Sequence, residues 1–192
     1  MTKDQRIPTP ADSDLDGANL EFLQRVPPYN VWRMIARTGL APEFSQPLAV
    51  MFTPEWFPPV DREVILFRTC RANGSTYEIP QHRVFSGLPA ELVDAILDDR
   101  LDEVDPWQRT LCRISDEVAL QAKATPQSVQ ALVAHYGSHN AACRALFIMA
   151  WFNMLTRFVD STGVPLETGE ELHALTAATG PTGVRLGRDA AE

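Results

Sequence analysis

The residues best suited to chemistry are a glutamate and a histidine in the stretch from Asp61 to Gly87. Glu78 and His82 are four residues apart, so on a helix their side chains are neighbours. A neighbouring carboxylate favours the protonated form of an imidazole, and histidine is the side chain that changes charge near neutral pH. The spacing therefore predicts a His–Glu pair able to give and take protons.

A second carboxylate, that of Glu63, is predicted to reach the same histidine. Asp61 is a suitable N-cap for a helix whose apolar residues recur at helical spacing, and Glu63 projects into that apolar stripe. An unpaired charge is costly in an interior, so Glu63 needs a partner. If the Asn73-Gly74 turn folds this helix against the next one, that partner is His82.

Each of these residues also has a purely structural explanation. Glu63 lies in the first turn of its predicted helix, where the macrodipole favours acids. Ser75 and Glu78 fit the S-x-x-E capping box, and His82 fits a half-buried position. The functional hypothesis therefore depends on all three groups converging.

The elements that must position these residues are predicted to be helices. No stretch shows sustained alternation of apolar and polar residues, so the fold class is all-α, with about seven or eight helices in a single domain. Proline is expected to interrupt or kink the third helix, which starts with Pro42 at its first position, at Pro47. The other predicted helices outside the central pair are 20–26, 30–38, 89–98, 106–123, 126–136 and one that Ser138 caps and that ends near Gly163.

Length and charge limit the possible organisation and partners of the 192 residues. Residues 1–18 are predicted to form an extended N-terminal arm, 19–166 the helical domain and 167–192 a C-terminal tail. The net charge of −8 argues against nucleic acid or an anionic membrane surface as the partner. A small molecule is the expected partner.

Composition favours a cytoplasmic protein with reduced thiols. Its three cysteines are scattered without a C-x-x-C pair, and the N-terminus lacks the apolar region of a signal peptide. The apolar run from Ala141 to Val159 contains Arg144 and Arg157, so a core helix is expected there. His135 and His139 are separated by Gly137-Ser138 and are not expected to share a helix face. No motif for a metal or a nucleotide is present, so no cofactor is expected.

Several sequence pieces together resemble the carboxymuconolactone decarboxylase family, within the superfamily that holds alkylhydroperoxidase D. They are N-V-W-R (30–33), R-E-V-I-L (62–66), G-S-T-Y-E-I-P-Q-H (74–82) and F-N-M-L-T-R (152–157) with G-V-P (163–165). The resemblance covers roughly residues 30–166. It implies an alkylhydroperoxidase D-like helical bundle that commonly assembles as a trimer or hexamer.

The resemblance also implies what chemistry is missing. Peroxidase members of the superfamily use a glutamate, then C-x-x-C, then a histidine four residues later. The glutamate falls on Glu63 and the histidine on His82, whereas the two cysteine positions fall on Ser75 and Glu78. A peroxidase of that type needs an attacking thiolate and a resolving thiol, so the peroxidase activity is disfavoured.

For a chain without the dithiol, the resemblance implies acid/base catalysis. The expected reaction is that of a decarboxylase or lyase on a small carboxylated or lactone substrate. His82 would be the proton donor or base, with Glu78 orienting it and Glu63 tuning the pair. Tyr77 would hydrogen-bond a substrate oxygen.

Ser75, Phe67 and Trp56 complete the predicted substrate-binding set, and Phe67 and Trp56 are expected to line a closed pocket at the hairpin. Pro80 puts the i, i+4 geometry of the pair in question.

Three functional hypotheses follow. The first is the cofactor-free acid/base enzyme. The second is a non-catalytic, small-molecule-binding oligomeric scaffold, in which an arginine would pair with Glu63 and no cavity would reach His82. The third is an alkylhydroperoxidase-like antioxidant working through Cys70 or Cys143. A homo-oligomer is expected in each case, because the final helix is apolar nearly all round.

Overall fold

The structure is a computed structural model, which describes residues 5–172 and 174. Over these residues all regular structure is helical, so the all-α prediction is confirmed. The described chain contains two 3-10 turns (Asp12–Asp14 and Leu101–Glu103) and the α-helices α1 (Gly17–Leu23), α2 (Asn30–Ala36), α3 (Ala41–Met51), α4 (Pro59–Asn73), α5 (Glu78–Phe85), α6 (Ala90–Leu97), α7 (Pro106–Leu120), α8 (Pro126–Tyr136) and α9 (His139–Thr162).

Helix α4 is the centre of the bundle. Every residue from Asp61 to Cys70 is buried, because α5, α6, α7 and α9 pack around this one helix. Its buried arginines, Arg62 and Arg68, are paired with carboxylates. The guanidinium of Arg68 donates to both carboxylate oxygens of Asp116 at 2.8 and 2.6 Å and forms an ion pair with Asp99 at 2.8 Å.

The turn between α4 and α5 sets the geometry of the predicted site. Gly74 ends α4 in the left-handed conformation (φ 66°), and the N–H of Ser75 donates to the carbonyl of Cys70 at 2.8 Å. Pro80 lies in the first turn of α5, where a missing N–H costs no helical hydrogen bond. The helix that carries Glu78 and His82 is therefore intact.

Helix α9 holds the turn in place. Asn73 donates to Asn153 and Thr156 of α9 at 2.9 and 2.8 Å, and the backbone N–H of Thr76 donates to Asp160 at 2.9 Å. By length and composition α9 could cross a membrane, a test that core helices of soluble proteins also pass. Here its buried face packs against α4, α7 and α8.

Three local predictions are wrong. Pro58, not Asp61, is the N-cap of α4, and the Asp61 carboxylate instead accepts hydrogen bonds from Trp107 and Tyr136 at 3.1 and 2.8 Å. Pro47 does not interrupt α3, which continues to Met51 because its buried face outweighs one lost hydrogen bond. Helix α1 is Gly17–Leu23 and not the predicted 20–26, because Asp16 caps it and accepts a hydrogen bond from the N–H of Asn19.

Both predicted tails contact the bundle where they are described. The N-terminal arm is not extended throughout, since residues 12–14 form a 3-10 turn and α1 begins at Gly17. The backbone N–H groups of Arg6 and Ile7 donate to the carbonyl of Thr162 at 3.1 and 3.0 Å. Most of the predicted C-terminal tail (167–192) lies outside the described residues.

Candidate active site

The structure brings Glu63, His82 and Glu78 together, as the sequence predicts. His82 Nδ1 lies 2.8 Å from Glu63 Oε2, and His82 Nε2 lies 3.7 Å from Glu78 Oε2. The imidazole is thus placed between two carboxylates, one from each helix of the α4–α5 hairpin. All three side chains are buried, with exposed fractions of 2% for Glu63, 5% for His82 and 6% for Glu78.

Arg62 is a fourth charged group of this cluster. Its Nε and Nη2 both lie 3.0 Å from Glu63 Oε1, and its guanidinium carbon lies 4.2 Å from the centre of the Phe52 ring. Glu63 therefore uses one oxygen for Arg62 and the other for His82. A carboxylate held from both sides fixes the orientation of the imidazole.

Aromatic rings surround the imidazole. The ring centres of Phe52, Phe67 and Phe152 lie 6.2, 6.3 and 6.1 Å from that of His82, with Phe67 and Phe152 edge-on. These three rings exclude water and lower the local dielectric. Charge interactions within the cluster are strengthened as a result.

The two carboxylates have opposite protonation behaviour. Burial raises the pKa of Glu63, but the charges and hydrogen bonds of His82 and Arg62 outweigh burial, so its pKa is lowered and it is ionised at neutral pH. Burial raises the pKa of Glu78 to about 7, against the opposing effect of His82 and with help from the charge of Asp160. Within the described chain, Glu78 Oε1 is buried and has no hydrogen-bond partner. Glu78 therefore exchanges a proton near neutral pH.

The predicted substrate-binding residues fall in different places. Phe67 packs on His82, and Ser75 has a buried hydroxyl that lacks a partner among the residues described. Trp56 instead contacts the Phe57 ring, with centres 6.4 Å apart, and the guanidinium of Arg144.

The hydroxyl of Tyr77 is engaged by other protein groups. It donates to Glu167 Oε1 at 2.9 Å and accepts from the N–H of Val31 at 3.1 Å. Gln81 donates to the other oxygen of Glu167 at 2.6 Å, and the N–H of Asn30 donates to Oε1 at 2.6 Å. In this structure Tyr77 therefore anchors the segment after α9 to α2 and α5.

The thiol nearest the cluster is unsuited to redox chemistry. Cys70 is fully buried, and burial together with the negative charge of Glu78 raises its pKa well above the ordinary value. Burial likewise raises the pKa of Cys112 to about 12. Cys143 is exposed but lies on α9, away in sequence from the hairpin.

The histidines outside the cluster do not form a metal pair. His135 belongs to α8 and stacks on Trp107 with ring centres 3.4 Å apart, whereas His139 begins α9. Over residues 5–172 and 174, no group of three or more histidine, cysteine and acidic side chains is arranged to hold a metal ion.

A pocket of about 620 Å³ lies between the α4–α5 turn and the C-terminal end of α9. Its walls include Arg6, the turn residues Gly74 and Thr76, and Asp160, with apolar residues around the end of α9. Phe67 and Trp56 do not line it, so its lining differs from the predicted one. His82 and Glu78 are also absent from the described lining.

Sequence reasoning missed the residues that tertiary packing brings to the hairpin. Arg62 is adjacent to Glu63 and so points about 100° away around the helix, which gave no reason to pair them. Phe52, Phe152 and Asp160 come from helices distant in sequence. The signal that could have identified Arg62 is its charge, because it stands within a stretch of α4 that is wholly buried.

The fold of this chain is similar to that of one solved structure. A crystal structure described as an alkylhydroperoxidase AhpD core, an uncharacterized peroxidase-related protein from Ralstonia eutropha, matches this chain with a TM-score of 0.71 and 20% sequence identity. The match covers 90% of this chain and 96% of that chain. The chain therefore has the alkylhydroperoxidase D-like fold, as predicted. No protein-family model and no curated protein matches it.

Proposed function

We propose that this protein is a cofactor-free acid/base enzyme of the decarboxylase or lyase type, acting on a small carboxylated or lactone substrate. The observation that supports this most is the state of Glu78. Its pKa of about 7 and its buried, unpartnered oxygen make it a proton carrier beside His82. We expect a buried carboxylate with only a structural role to have hydrogen-bond partners for both of its oxygens.

The reaction needs one proton delivered to carbon. When the bond to the departing carbon dioxide breaks, its electron pair stays on the substrate carbon as a carbanion or enolate. The Glu78–His82 pair donates the proton that forms the new C–H bond and regains a proton from solvent. Glu63, fixed by Arg62, keeps the imidazole oriented throughout.

The scaffold hypothesis is the second candidate, and one observation favours it. That hypothesis expects an arginine paired with Glu63, and Arg62 is so paired. It does not account for the raised pKa of Glu78. A peroxidase activity, which the description of the structural neighbour would suggest, is less favoured because Ser75 and Glu78 stand at the dithiol positions of the resemblance and the Cys70 pKa is raised.

Deuterium incorporation tests the proposal. The protein is incubated in D2O with a panel of small β-keto and γ-lactone carboxylic acids, and NMR follows carbon dioxide release and deuterium at carbon. Replacing His82 by glutamine should reduce turnover about 10²–10⁴-fold, as should Glu78→Gln. The exposed control Glu91→Gln should turn over normally. Equal turnover in His82→Gln, or no turnover with any member of the panel, would favour the scaffold.

We also propose that the protein is a homo-oligomer, a trimer or hexamer, in the cytoplasm. On α9, Phe147 and Met154 are 46% and 47% exposed, and the Trp151 ring lies 5.9 Å from that of Phe147. These side chains form an apolar surface that a second copy would cover. Light scattering that gives the mass of one 21.4 kDa chain would contradict this.

A further inference from the structure

Glu167, in the segment that follows α9, accepts hydrogen bonds at both oxygens of its carboxylate. Oε1 accepts from the hydroxyl of Tyr77 at 2.9 Å and from the backbone N–H of Asn30 at 2.6 Å. Oε2 accepts from the side-chain amide of Gln81 at 2.6 Å. Hydrogen bonds to a charged acceptor are stronger than those between neutral groups. One carboxylate therefore joins α2, α5 and the segment after α9.

The two donors on the α5 side stand directly before the two residues of the acid/base pair, Glu78 and His82. Tyr77 is the N-cap of α5 and precedes Glu78. Gln81 is the residue before His82. Tyr77 and Gln81 are 1% and 4% exposed, so both hydrogen bonds to Glu167 are shielded from water. The start of α5 is thus held by the segment after α9, whereas α4 holds the same helix through its 2.8 Å contact to His82.

The backbone around Glu167 is itself fixed to the bundle. The side-chain amide of Asn30 donates to the carbonyl of Pro165 at 2.9 Å. Val164 and Leu172, which precede and follow Glu167 in the sequence, pack into the hydrophobic core and are 8% and 7% exposed. A negative charge is also favoured at a helix N-terminus, and Glu167 meets the first N–H of α2. Its carboxylate is therefore a well-supported acceptor for α5.

The charge of Glu167 also acts on the proposed proton carrier. Burial is the largest cause of the raised pKa of Glu78, and the charge of His82 on the same helix opposes it. The negative charges of Asp160 on α9, Glu167 and Glu63 on α4 act in the same direction as burial. Removal of the charge at position 167 should therefore let Glu78 release its proton at a lower pH.

We propose that Glu167 is a positioning residue of the acid/base pair. It holds the start of α5 through Tyr77 and Gln81, and it thereby keeps the pair in place against Glu63 of α4. Assigning it a part in the reaction rests on the proposed function, whereas its hold on α5 does not.

Two variants separate the charge from the hydrogen bonds. Glu167→Gln keeps an oxygen that accepts from Tyr77 and Asn30, so it should fold, but it removes the charge and turns an amide toward Gln81. Gln81→Met keeps the charge and removes one hydrogen bond. Glu170→Gln is the matched control, because Glu170 lies three residues further along the same segment, is exposed and undergoes the same change of charge.

The first measurement is a carbon-13 NMR titration of the Glu78 carboxyl in the full-length protein. Its midpoint should fall below the wild-type value in Glu167→Gln, because a neighbouring negative charge is lost. The midpoint should not move in Glu170→Gln, since solvent and salt screen an exposed charge. The same midpoint in the wild type and Glu167→Gln would overturn the inference.

The second measurement is amide hydrogen exchange at residues 82–85 of α5. Exchange there should be about tenfold faster in Glu167→Gln and in Gln81→Met than in the wild type, the effect of one hydrogen bond, and unchanged in Glu170→Gln. Faster exchange confined to α2 and residues 163–172 would mean that Glu167 only anchors its own segment. That result would also overturn the inference.

Turnover distinguishes a failure of this inference from a failure of the proposed function. With any panel acid that the wild type converts, Glu167→Gln should lower kcat about 10–100-fold, leave KM nearly unchanged and shift the pH profile to lower pH. Wild-type kcat in Glu167→Gln, with His82→Gln inactive, would overturn the inference alone. If no acid is converted while the titration and the exchange agree with expectation, only the proposed function fails.

Discussion

Glu78 provides a quantitative test that needs no substrate. Its pKa is about 7 in the folded protein and 4.5 ordinarily, so between these pH values the folded chain binds more protons than the unfolded chain. Its contribution to stability is therefore greatest below pH 4.5 and is lost as the pH rises through 7. At about 1.4 kcal/mol per pH unit the loss is about 3 kcal/mol, and with 6% of the side chain exposed solvent screening is small.

Glu78→Gln should remove this loss, because an amide of nearly the same shape does not titrate. Urea unfolding of the wild type and the variant at pH 4.5 and pH 8 gives the free energy of unfolding of each. The variant should lose about 3 kcal/mol less than the wild type between these pH values, whereas the exposed control Glu91→Gln should behave as the wild type. Losses that agree within about 0.5 kcal/mol would refute the assigned protonation of Glu78.

Other predictions concern the supports of the site. Glu63→Gln should destabilise the protein by about 3–5 kcal/mol, since it leaves Arg62 charged and buried, and adding Arg62→Met should recover part of that loss in urea unfolding. An aromatic disulfide reagent should react rapidly with Cys143 in the native protein but with Cys70 only after denaturation; rapid loss of both thiols would contradict the burial. Gly74→Ala should cost about 1–2 kcal/mol because φ is 66°, and Gly74→Asn less; equal stability of all three would be inconsistent with the left-handed turn.

Much of the fold could be predicted because residues at the helix ends indicate where each helix begins and ends. Thr125-Pro126 and Ser138 begin α8 and α9, and Gly137 and Gly163 end them in the left-handed conformation. These signals act within a few residues of chain. The predicted interruption at Pro47 is not found, because the packing of α3, which no local pattern expresses, keeps that helix continuous.

The site was predictable to the extent that it is local. Glu78 and His82 share one helix, and a single turn brings Glu63 to them, so periodicity was enough to predict the convergence. Asp160 and Arg62 were not predictable in this way. Asp160 reaches the turn only because α9 packs against it, and Arg62 turns back to its neighbour because both charges are buried together.

The most direct test of the acid/base assignment is a carboxyl titration by carbon-13 NMR. The protein is labelled at the side-chain carboxyl of glutamate, and Glu78→Gln identifies the signal of Glu78. We expect this carboxyl to titrate with a midpoint near 7, whereas the pKa of Glu63 should lie below its ordinary value. A midpoint near 4.5 for Glu78 would mean that no proton is held beside His82 at neutral pH, and would contradict the proposed chemistry.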